Sequence, residues 1–275
     1  MTTEIDIDAF VAYEAAGFCR VADAYNRHFS DLTGRIAEPL LDAAGVGVGS
    51  RVLDIATGPG QVAALAAERD ASVIGLDLAT EMVDLARRLH PAIEFRQGDA
   101  HQLTFPDRSF DAVVANFLMP HLADHAGAVA EMARVLVAGG RLALSTWDLP
   151  RRSPFPGVLF LAVEEAAAPL AEGIPPGPPF FRFADDDTFA LLLSDAGLVD
   201  VAVTTVAFTH HIDSADAFWS SMLDGSVRAS AQIRGQSPEM QAHVRTAFDR
   251  LLTPYTSNAT LTLPVSVKVA SARKA

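Results

Sequence analysis

The feature that most constrains the fold of this chain is a strand, a glycine turn and a helix that follow one another over residues 51–69. Val52–Ile55 is typical of a short buried strand, and Ala56–Gly60 of a tight turn that leads into a helix. Gly58 and Gly60 permit backbone conformations that residues with a Cβ avoid, and they allow a ligand to approach closely. The helix N-terminus offers that ligand free N–H groups. This order of elements predicts one end of a nucleotide-binding site.

Asp54 places a charge at the end of the apolar strand. A charge in such a position needs a partner, and a bound cation would supply one. The turn alone does not identify the nucleotide, because residues 58–63 also fit the G-x-G-x-x-A fingerprint of dinucleotide-binding proteins. Nicotinamide binding and adenosyl binding are therefore both open at this point.

Strands and helices alternate over residues 50–147, which predicts an α/β fold with a mostly parallel sheet and helices on both faces. Asp77 ends the second strand, where an acid can accept hydrogen bonds from both ribose hydroxyls. A role for Asp77 as a helix cap fits as well, although Thr80 is the better cap for the next helix. Asp99 lies in a polar turn after the third strand, where it can face the exocyclic amino group of a base.

The pattern divides the chain into an N-terminal helical leader or lid (1–49), a core (50–147), a proline-rich lid insertion (148–184) and the rest of the sheet (185–275), with a helical cap at about 210–255. A long insertion in a compact fold is often functional. The final strand, at 259–270, contains Pro264, which indicates an edge strand or a bulge.

The helical leader contains Tyr25 and His28. Its apolar residues recur at helical spacing in three pieces, at 8–24, 25–29 and 31–44. The aromatic residues of the leader either pack against the sheet or cover the ligand, and in the second case Tyr25 reaches it.

Composition excludes several classes of protein. The chain has 275 residues, of which half are hydrophobic, and a single cysteine, which rules out a disulfide framework and a cysteine-based zinc site. The formal net charge of −13 repels phosphate backbones, so nucleic acid is not expected as a partner. We predict no metal site, no secretory signal and no membrane span, which favours a cytoplasmic enzyme.

Five motifs in order resemble the class I S-adenosylmethionine-dependent methyltransferases, in the small-molecule group that includes the ubiquinone/menaquinone C-methyltransferases. The motifs are VLDIATGPG (52–60), VIGLD (73–77) with Met82 beyond it, GDA (98–100), LTFPDRSFDAVVANF (103–117) and EMARVLVAGGRLALSTW (131–147). The resemblance implies a Rossmann-like, seven-stranded, mostly parallel sheet, with residues 50–147 as the S-adenosylmethionine-binding core. It also implies methyl transfer to an O, N or C atom of a hydrophobic small molecule, and it leaves a homodimer open.

Two alternatives accompany this interpretation. The same fold and cofactor can serve a cyclase-like enzyme that transfers no methyl group. A nicotinamide-dependent oxidoreductase fits the glycine turn but lacks a recognisable partner for hydride transfer. The methyltransferase hypothesis is the one that accounts for all five motifs.

The resemblance also assigns roles to individual residues. The turn holds the methionine part of the cofactor, Asp54 lies near its ammonium group, and Asn116 and Phe117 border the reactive methyl. Leu78 and Met82 pack against adenine, while Asp99 and Ala100 contact its edge. The residues predicted to bind the cofactor are Tyr25, Asp54, Ala56, Gly58, Gly60, Asp77, Leu78, Met82, Asp99, Ala100, Asn116 and Phe117.

Ala56 stands where this family commonly has its first glycine. An alanine is tolerated there if its φ angle stays negative, and we expect that it does.

Methyl transfer requires alignment of the acceptor and exclusion of water, and a base helps when the acceptor is a hydroxyl or an acidic carbon. His121 is the first candidate base, because it follows the fourth strand beside the methyl position, and His28 is the second. Pocket-lining and structural roles for His121 stay open. His101 and His125 are expected to be structural or exposed.

Aromatic side chains and a methionine are candidates for an apolar cavity beneath the lid, with ordinary packing as the alternative. These candidates are Trp147, Phe155, Phe160, Phe180, Phe181, Phe183, Phe218, Trp219 and Met222.

Overall fold

A computed structural model describes residues 5–275. The strands are β1 (Arg51–Ile55), β2 (Ser72–Asp77), β3 (Glu94–Gln97), β4 (Phe110–Ala115), β5 (Leu136–Trp147), β6 (Leu198–Ile212), β7 (Thr256–Ser257) and β8 (Thr260–Lys274). The helices are α1 (Ile7–Gly34), α2 (Ala37–Ala43), α3 (Gln61–Glu68), α4 (Thr80–Leu89), α5 (His125–Val135), α6 (Pro154–Glu165), α7 (Asp186–Asp195), α8 (Ala215–Gly225), α9 (Arg228–Arg234) and α10 (Pro238–Leu252).

The sheet has the strand order β3-β2-β1-β4-β5-β8-β6, and the two-residue strand β7 pairs with β8 beside this path. The first five strands of the path are parallel, and β8 runs antiparallel to both of its long neighbours. Val52, Leu53 and Ile55 are buried because β1 is covered on both faces, as expected for a central parallel strand. The Rossmann-like, mostly parallel sheet predicted from the sequence is confirmed.

Two hydrophobic cores lie on opposite faces of the sheet. One packs residues of α2, α3 and α6, such as Leu40 and Val62, against the sheet. The other packs α5 and α7 through Met132 and Phe189. This two-sided cover leaves the carboxyl ends of the parallel strands free to form a site, as in other open α/β sheets.

The predicted edge position of the last strand is wrong, because β8 lies between β5 and β6. Pro264 pairs with Thr209 of β6, whereas the pairing of β8 with β5 ends at Val267, opposite Trp147. Pro264 thus lies where β8 extends past β5 and has a long strand on one side only. A missing backbone N–H is tolerated in such a position.

The predicted leader is helical, and two of its predicted pieces join into the single helix α1. The side chain of Asp6 begins α1 by accepting a hydrogen bond from the Ala9 N–H, at 3.0 Å. Residues 1–4 of the predicted leader lie outside the described residues. Helix α1 packs against α4 and α8, so it lies across the carboxyl-terminal edge of the sheet.

The segment at 148–184 begins with a fixed anchor and continues into α6. Asp148 is fully buried, and its Oδ2 accepts a 2.8 Å hydrogen bond from the Ser266 hydroxyl of β8. After α6 the chain is largely irregular up to the short 3-10 helix Arg182–Ala184. No helix in the described part of the chain combines the length and the apolar character needed to cross a bilayer.

Candidate functional site

A cavity of about 540 Å³ lies at the carboxyl-terminal edge of the sheet. Its wall combines residues that follow β1, β2 and β4 with faces of α1, α6, α8 and α9. All the predicted cofactor residues line this cavity except Asp54 and Gly60. Residues from distant parts of the sequence therefore meet at the edge where open α/β sheets bind ligands.

The glycine turn uses three left-handed residues. The φ angles are +55° at Ala56, +52° at Gly58 and +93° at Gly60, so the expectation that Ala56 keeps a negative φ is wrong. A Cβ on Gly58 would meet no atom within 4 Å, because this residue faces the cavity. A Cβ on Gly60 would lie 2.9 Å from His90 and 3.0 Å from Phe95. Gly60 therefore lets the turn pack closely, and Gly58 is the glycine that leaves room for a ligand.

Asp54 is fully buried and borders a small side pocket of about 20 Å³, which shares Gly58 and Asn116 with the main cavity. The Thr57 hydroxyl donates a 2.6 Å hydrogen bond to Asp54 Oδ2. Within residues 5–275, Oδ1 of Asp54 has no hydrogen-bond partner. Burial raises the pKa of Asp54 to about 7. A half-satisfied carboxyl beside a small space fits a cationic ligand group.

Asp77 lines the cavity at the end of β2 and supports the turn beside it. Its Oδ2 accepts a 2.8 Å hydrogen bond from the Gly58 N–H, and its Oδ1 accepts a 3.0 Å bond from the Ala79 N–H. Burial raises the pKa of Asp77. Each carboxylate oxygen keeps a further lone pair for a ligand hydroxyl. The prediction that Thr80 caps α4 is wrong, because Ala79 is the residue before the helix and Thr80 is its first residue.

The chain after β4 is held in a strained conformation. Phe117 has a φ angle of +56°, which costs a residue other than glycine about 1–3 kcal/mol. Its N–H donates to Ser145 Oγ at 2.9 Å, and that hydroxyl donates to Asn116 Oδ1 at 2.7 Å. The Asn116 amide in turn donates to the Thr33 carbonyl of α1 at 3.0 Å. These bonds fix the backbone where it borders the cavity.

His121 and Glu14 form a hydrogen-bonded pair at the cavity. His121 Nδ1 lies 2.8 Å from Glu14 Oε2, and the His121 ring packs edge-on against Phe18 with 4.9 Å between centroids. Only 2% of Glu14 is exposed. In the described part of the chain, the second carboxylate oxygen of Glu14 has no hydrogen-bond partner.

Sequence reasoning missed Glu14. The signal that could have identified it is its place on the buried stripe of α1, since Phe10, Glu14 and Gly17 follow i, i+4, i+7 spacing and are all buried. A carboxylate on such a stripe needs a partner from elsewhere in the fold.

The other histidines differ from expectation in part. His28 is half-buried and is not in the cavity wall, so the structure does not bring the second candidate base to the site. His101 does line the cavity, with its Nδ1 2.8 Å from Asp99 Oδ1. The hydrogen bond to Asp99 raises the pKa of His101, and the same bond lowers the pKa of Asp99. Asp99 therefore faces the cavity as one half of a hydrogen-bonded pair with His101.

Most of the remaining wall is apolar. Of the side chains predicted to line an apolar cavity, those in the wall are Trp147, Phe155, Phe160, Phe180 and Met222. Phe183 and Phe218 are buried in the two cores, and Phe181 and Trp219 pack against one of them. Helix α1 contributes further aromatic groups, including Tyr25 and Phe29, whose rings meet edge-on at 5.4 Å.

Comparisons with known proteins agree with this geometry. The family described as "Methyltransferase domain" matches residues 53–144. A demethylmenaquinone methyltransferase from Beutenbergia cavernae is 33% identical over 165 residues, which cover 57% of this chain and 69% of the relative. A trans-aconitate 2-methyltransferase from Azoarcus is 36% identical over 163 residues, which cover 56% of this chain and 61% of the relative.

The fold also matches solved structures. The YcgJ protein of Bacillus superposes with a TM-score of 0.57 at 22% identity, over 87% of this chain and 98% of that protein. This likeness supports the fold, and the sequence relatives decide in favour of the adenosyl interpretation of the glycine turn. The chain belongs to the class I S-adenosylmethionine-dependent methyltransferases that act on small molecules, and its cofactor is S-adenosylmethionine.

Proposed function

We propose that this enzyme methylates an O, N or C nucleophile on a hydrophobic small molecule that binds in the aromatic part of the cavity. The observation that carries the proposal is that one cavity joins the glycine turn to a chamber lined by aromatic side chains. The matched relatives are named for demethylmenaquinone and for trans-aconitate. The apolar wall favours an acceptor of the first kind, because aromatic surface gains most from burying apolar area.

The residues at the glycine turn fit the cofactor. Gly58 leaves open space toward the cavity, and Asp77 has spare lone pairs for ribose hydroxyls. Asp54 offers an unpartnered carboxyl oxygen for the ammonium group of the methionine part. When bound, S-adenosylmethionine supplies a methyl group that its sulfonium already activates. Leu78 and Met82 then provide apolar contact for the adenine ring.

We assign His121 as the general base and Glu14 as its positioning residue. The Glu14 carboxylate accepts the Nδ1–H of His121, which leaves Nε2 as the proton acceptor. His121 Nε2 takes the proton that an acceptor hydroxyl loses as its oxygen is methylated. Phe18 and Phe180 flank the imidazole edge-on and limit its access to water.

The test uses two probe acceptors, 1,4-dihydroxynaphthalene and trans-aconitate, with S-adenosylmethionine. We expect S-adenosylhomocysteine and methylated product in equal amounts with the aromatic probe and much less with the tricarboxylate. Mass spectrometry identifies the methylated atom. Turnover confined to trans-aconitate would contradict a hydrophobic acceptor. Failure of the protein to bind S-adenosylhomocysteine in a calorimetric titration would contradict the cofactor site.

A further inference from the structure

Arg228 is the one arginine or lysine in the cavity wall, among the residues that the structure describes. It is the first residue of α9, and its guanidinium carbon lies 4.9 Å from the centre of the Phe10 ring of α1. A Cβ on Gly177 of the 148–184 segment would lie 3.0 Å from Arg228 Nη1. Arg228 lines the cavity beside Ala229 and Gln232 of α9, and Phe10 and Gly177 pack against its guanidinium from outside the wall. The glycine turn and Asp77 lie on the side proposed for the cofactor.

The guanidinium lacks an anionic partner in residues 5–275. Its Nη1 is buried without a hydrogen-bond acceptor, and no carboxylate lies within 4.0 Å of its nitrogens. Glu14, which also lines the cavity, is hydrogen-bonded to His121 through Oε2 and forms no ion pair with Arg228. By contrast, Arg134 binds Glu131 and Asp107 as well as backbone carbonyls.

A buried guanidinium nitrogen without an acceptor, such as Nη1 of Arg228, is unfavourable because it loses water and gains no hydrogen bond in return. Arginine cannot lose its charge to relieve this cost. Stacking on Phe10 stabilises the face of the guanidinium but leaves its N–H groups without an acceptor. A ligand anion would satisfy them, and a carboxylate matches the fork of N–H donors with two parallel bonds.

We propose that Arg228 binds an anionic group of the acceptor, so that the acceptor is an apolar molecule carrying a carboxylate or a similar acid. The proposal rests on the proposed function, since it describes the molecule that occupies the aromatic chamber. The acceptor then places its acid against α9 and its nucleophile near His121. The overall charge of −13 opposes the binding of anions elsewhere, so this single guanidinium selects for an acid group at one place.

The experiment compares 1-anilinonaphthalene-8-sulfonate with N-phenyl-1-naphthylamine, two fluorescent probes that differ by the sulfonate alone. Both are titrated into the full chain saturated with S-adenosylhomocysteine. We expect the wild-type protein to bind the sulfonate probe at least tenfold more tightly than the neutral one. Arg228→Gln and Arg228→Met should abolish this preference, and Arg228→Lys should retain part of it.

Arg151→Gln is the matched control. It changes the net charge by the same amount, and Arg151 is exposed and lies outside the cavity wall. The control should keep the wild-type preference. Arg228→Met keeps an apolar stem against Phe10, so it serves if the glutamine variant does not fold.

Two results would overturn the proposal: a preference unchanged in folded Arg228 variants, or a wild-type protein that binds the neutral probe as tightly as the anionic one. Calorimetric binding of S-adenosylhomocysteine separates this outcome from failure of the proposed function. If every variant binds S-adenosylhomocysteine but none distinguishes the probes, the Arg228 assignment is wrong and the cofactor site stands.

Discussion

The side of the cavity that we propose for the cofactor and the side that we propose for the acceptor are built in different ways. The cofactor side consists of short stretches that follow strand ends, at 56–60, 77–82, 98–100 and 116–117. Its shape depends largely on backbone conformation. The acceptor side consists of side chains from α1, α6, α8, α9 and the irregular segment between α6 and α7. A site formed by local backbone is fixed by a few neighbouring residues, whereas a chamber of side chains depends on how distant helices pack.

The largest expected effect is on kcat, and it comes from substitution of His121, which we place between the two sides. His121→Asn should lower kcat for a hydroxyl acceptor by roughly 10²- to 10⁴-fold, because the base is lost. The affinity for S-adenosylhomocysteine should not change. The measurement is S-adenosylhomocysteine release with 1,4-dihydroxynaphthalene, and added imidazole should restore part of the rate to His121→Ala. His28→Asn is the control, and an equal loss of kcat in that variant would contradict the assignment of His121 as the general base.

Asp77→Asn should act on the cofactor side alone. Loss of a charged acceptor for the ribose hydroxyls should weaken S-adenosylhomocysteine binding by about 1–3 kcal/mol, or roughly 5- to 150-fold. Isothermal titration calorimetry measures this directly. Asp84→Asn removes an exposed carboxylate from α4 and should leave the affinity unchanged. Equal affinities in both variants would exclude the ribose role of Asp77.

We expect Asp54 to lose a proton when the cofactor binds. Its pKa in the fold, about 7, lies above the unfolded value, so its contribution to stability falls as pH rises from about 4 to about 7. An ammonium group bound beside it favours the ionised form. At pH 6 we expect cofactor binding to release up to about one proton, from calorimetry in two buffers with different ionisation enthalpies. Asp54→Asn should abolish the release, and a release unchanged in that variant would rule out this contact.

The smallest effect concerns two neighbouring left-handed residues. Ala56→Gly should raise the unfolding free energy by less than about 1 kcal/mol, because relief of left-handed strain is offset by chain entropy. Gly58→Ala should lower stability by a similar amount and also weaken S-adenosylhomocysteine binding, since its Cβ enters the space left for the ligand. Denaturant unfolding and calorimetry separate the two. A destabilised Ala56→Gly variant would contradict the strain argument.

The same contrast explains what the sequence could predict. The sheet could be predicted from local patterns, because a strand, a turn and a helix are specified by adjacent residues. Most of the residues predicted to bind the cofactor line one cavity for the same reason. The φ angle of Ala56 was mispredicted, since the turn imposes its conformation on whatever residue stands there. Glu14 was missed because its partner, His121, is 107 positions away and meets it only after α1 packs across the sheet. The inner position of β8 likewise depends on long-range pairing.

Helix α1 contacts two residues of the cavity wall at well-separated points along its length. Its Thr33 carbonyl accepts a hydrogen bond from the Asn116 amide, and its Glu14 carboxylate is hydrogen-bonded to His121. Glu14 and Thr33 lie 19 positions apart, or about 28 Å along α1 at about 1.5 Å per residue. A shift or tilt of α1 would displace both contacts together. One helix therefore carries both contacts, and neither contact can be adjusted without the other.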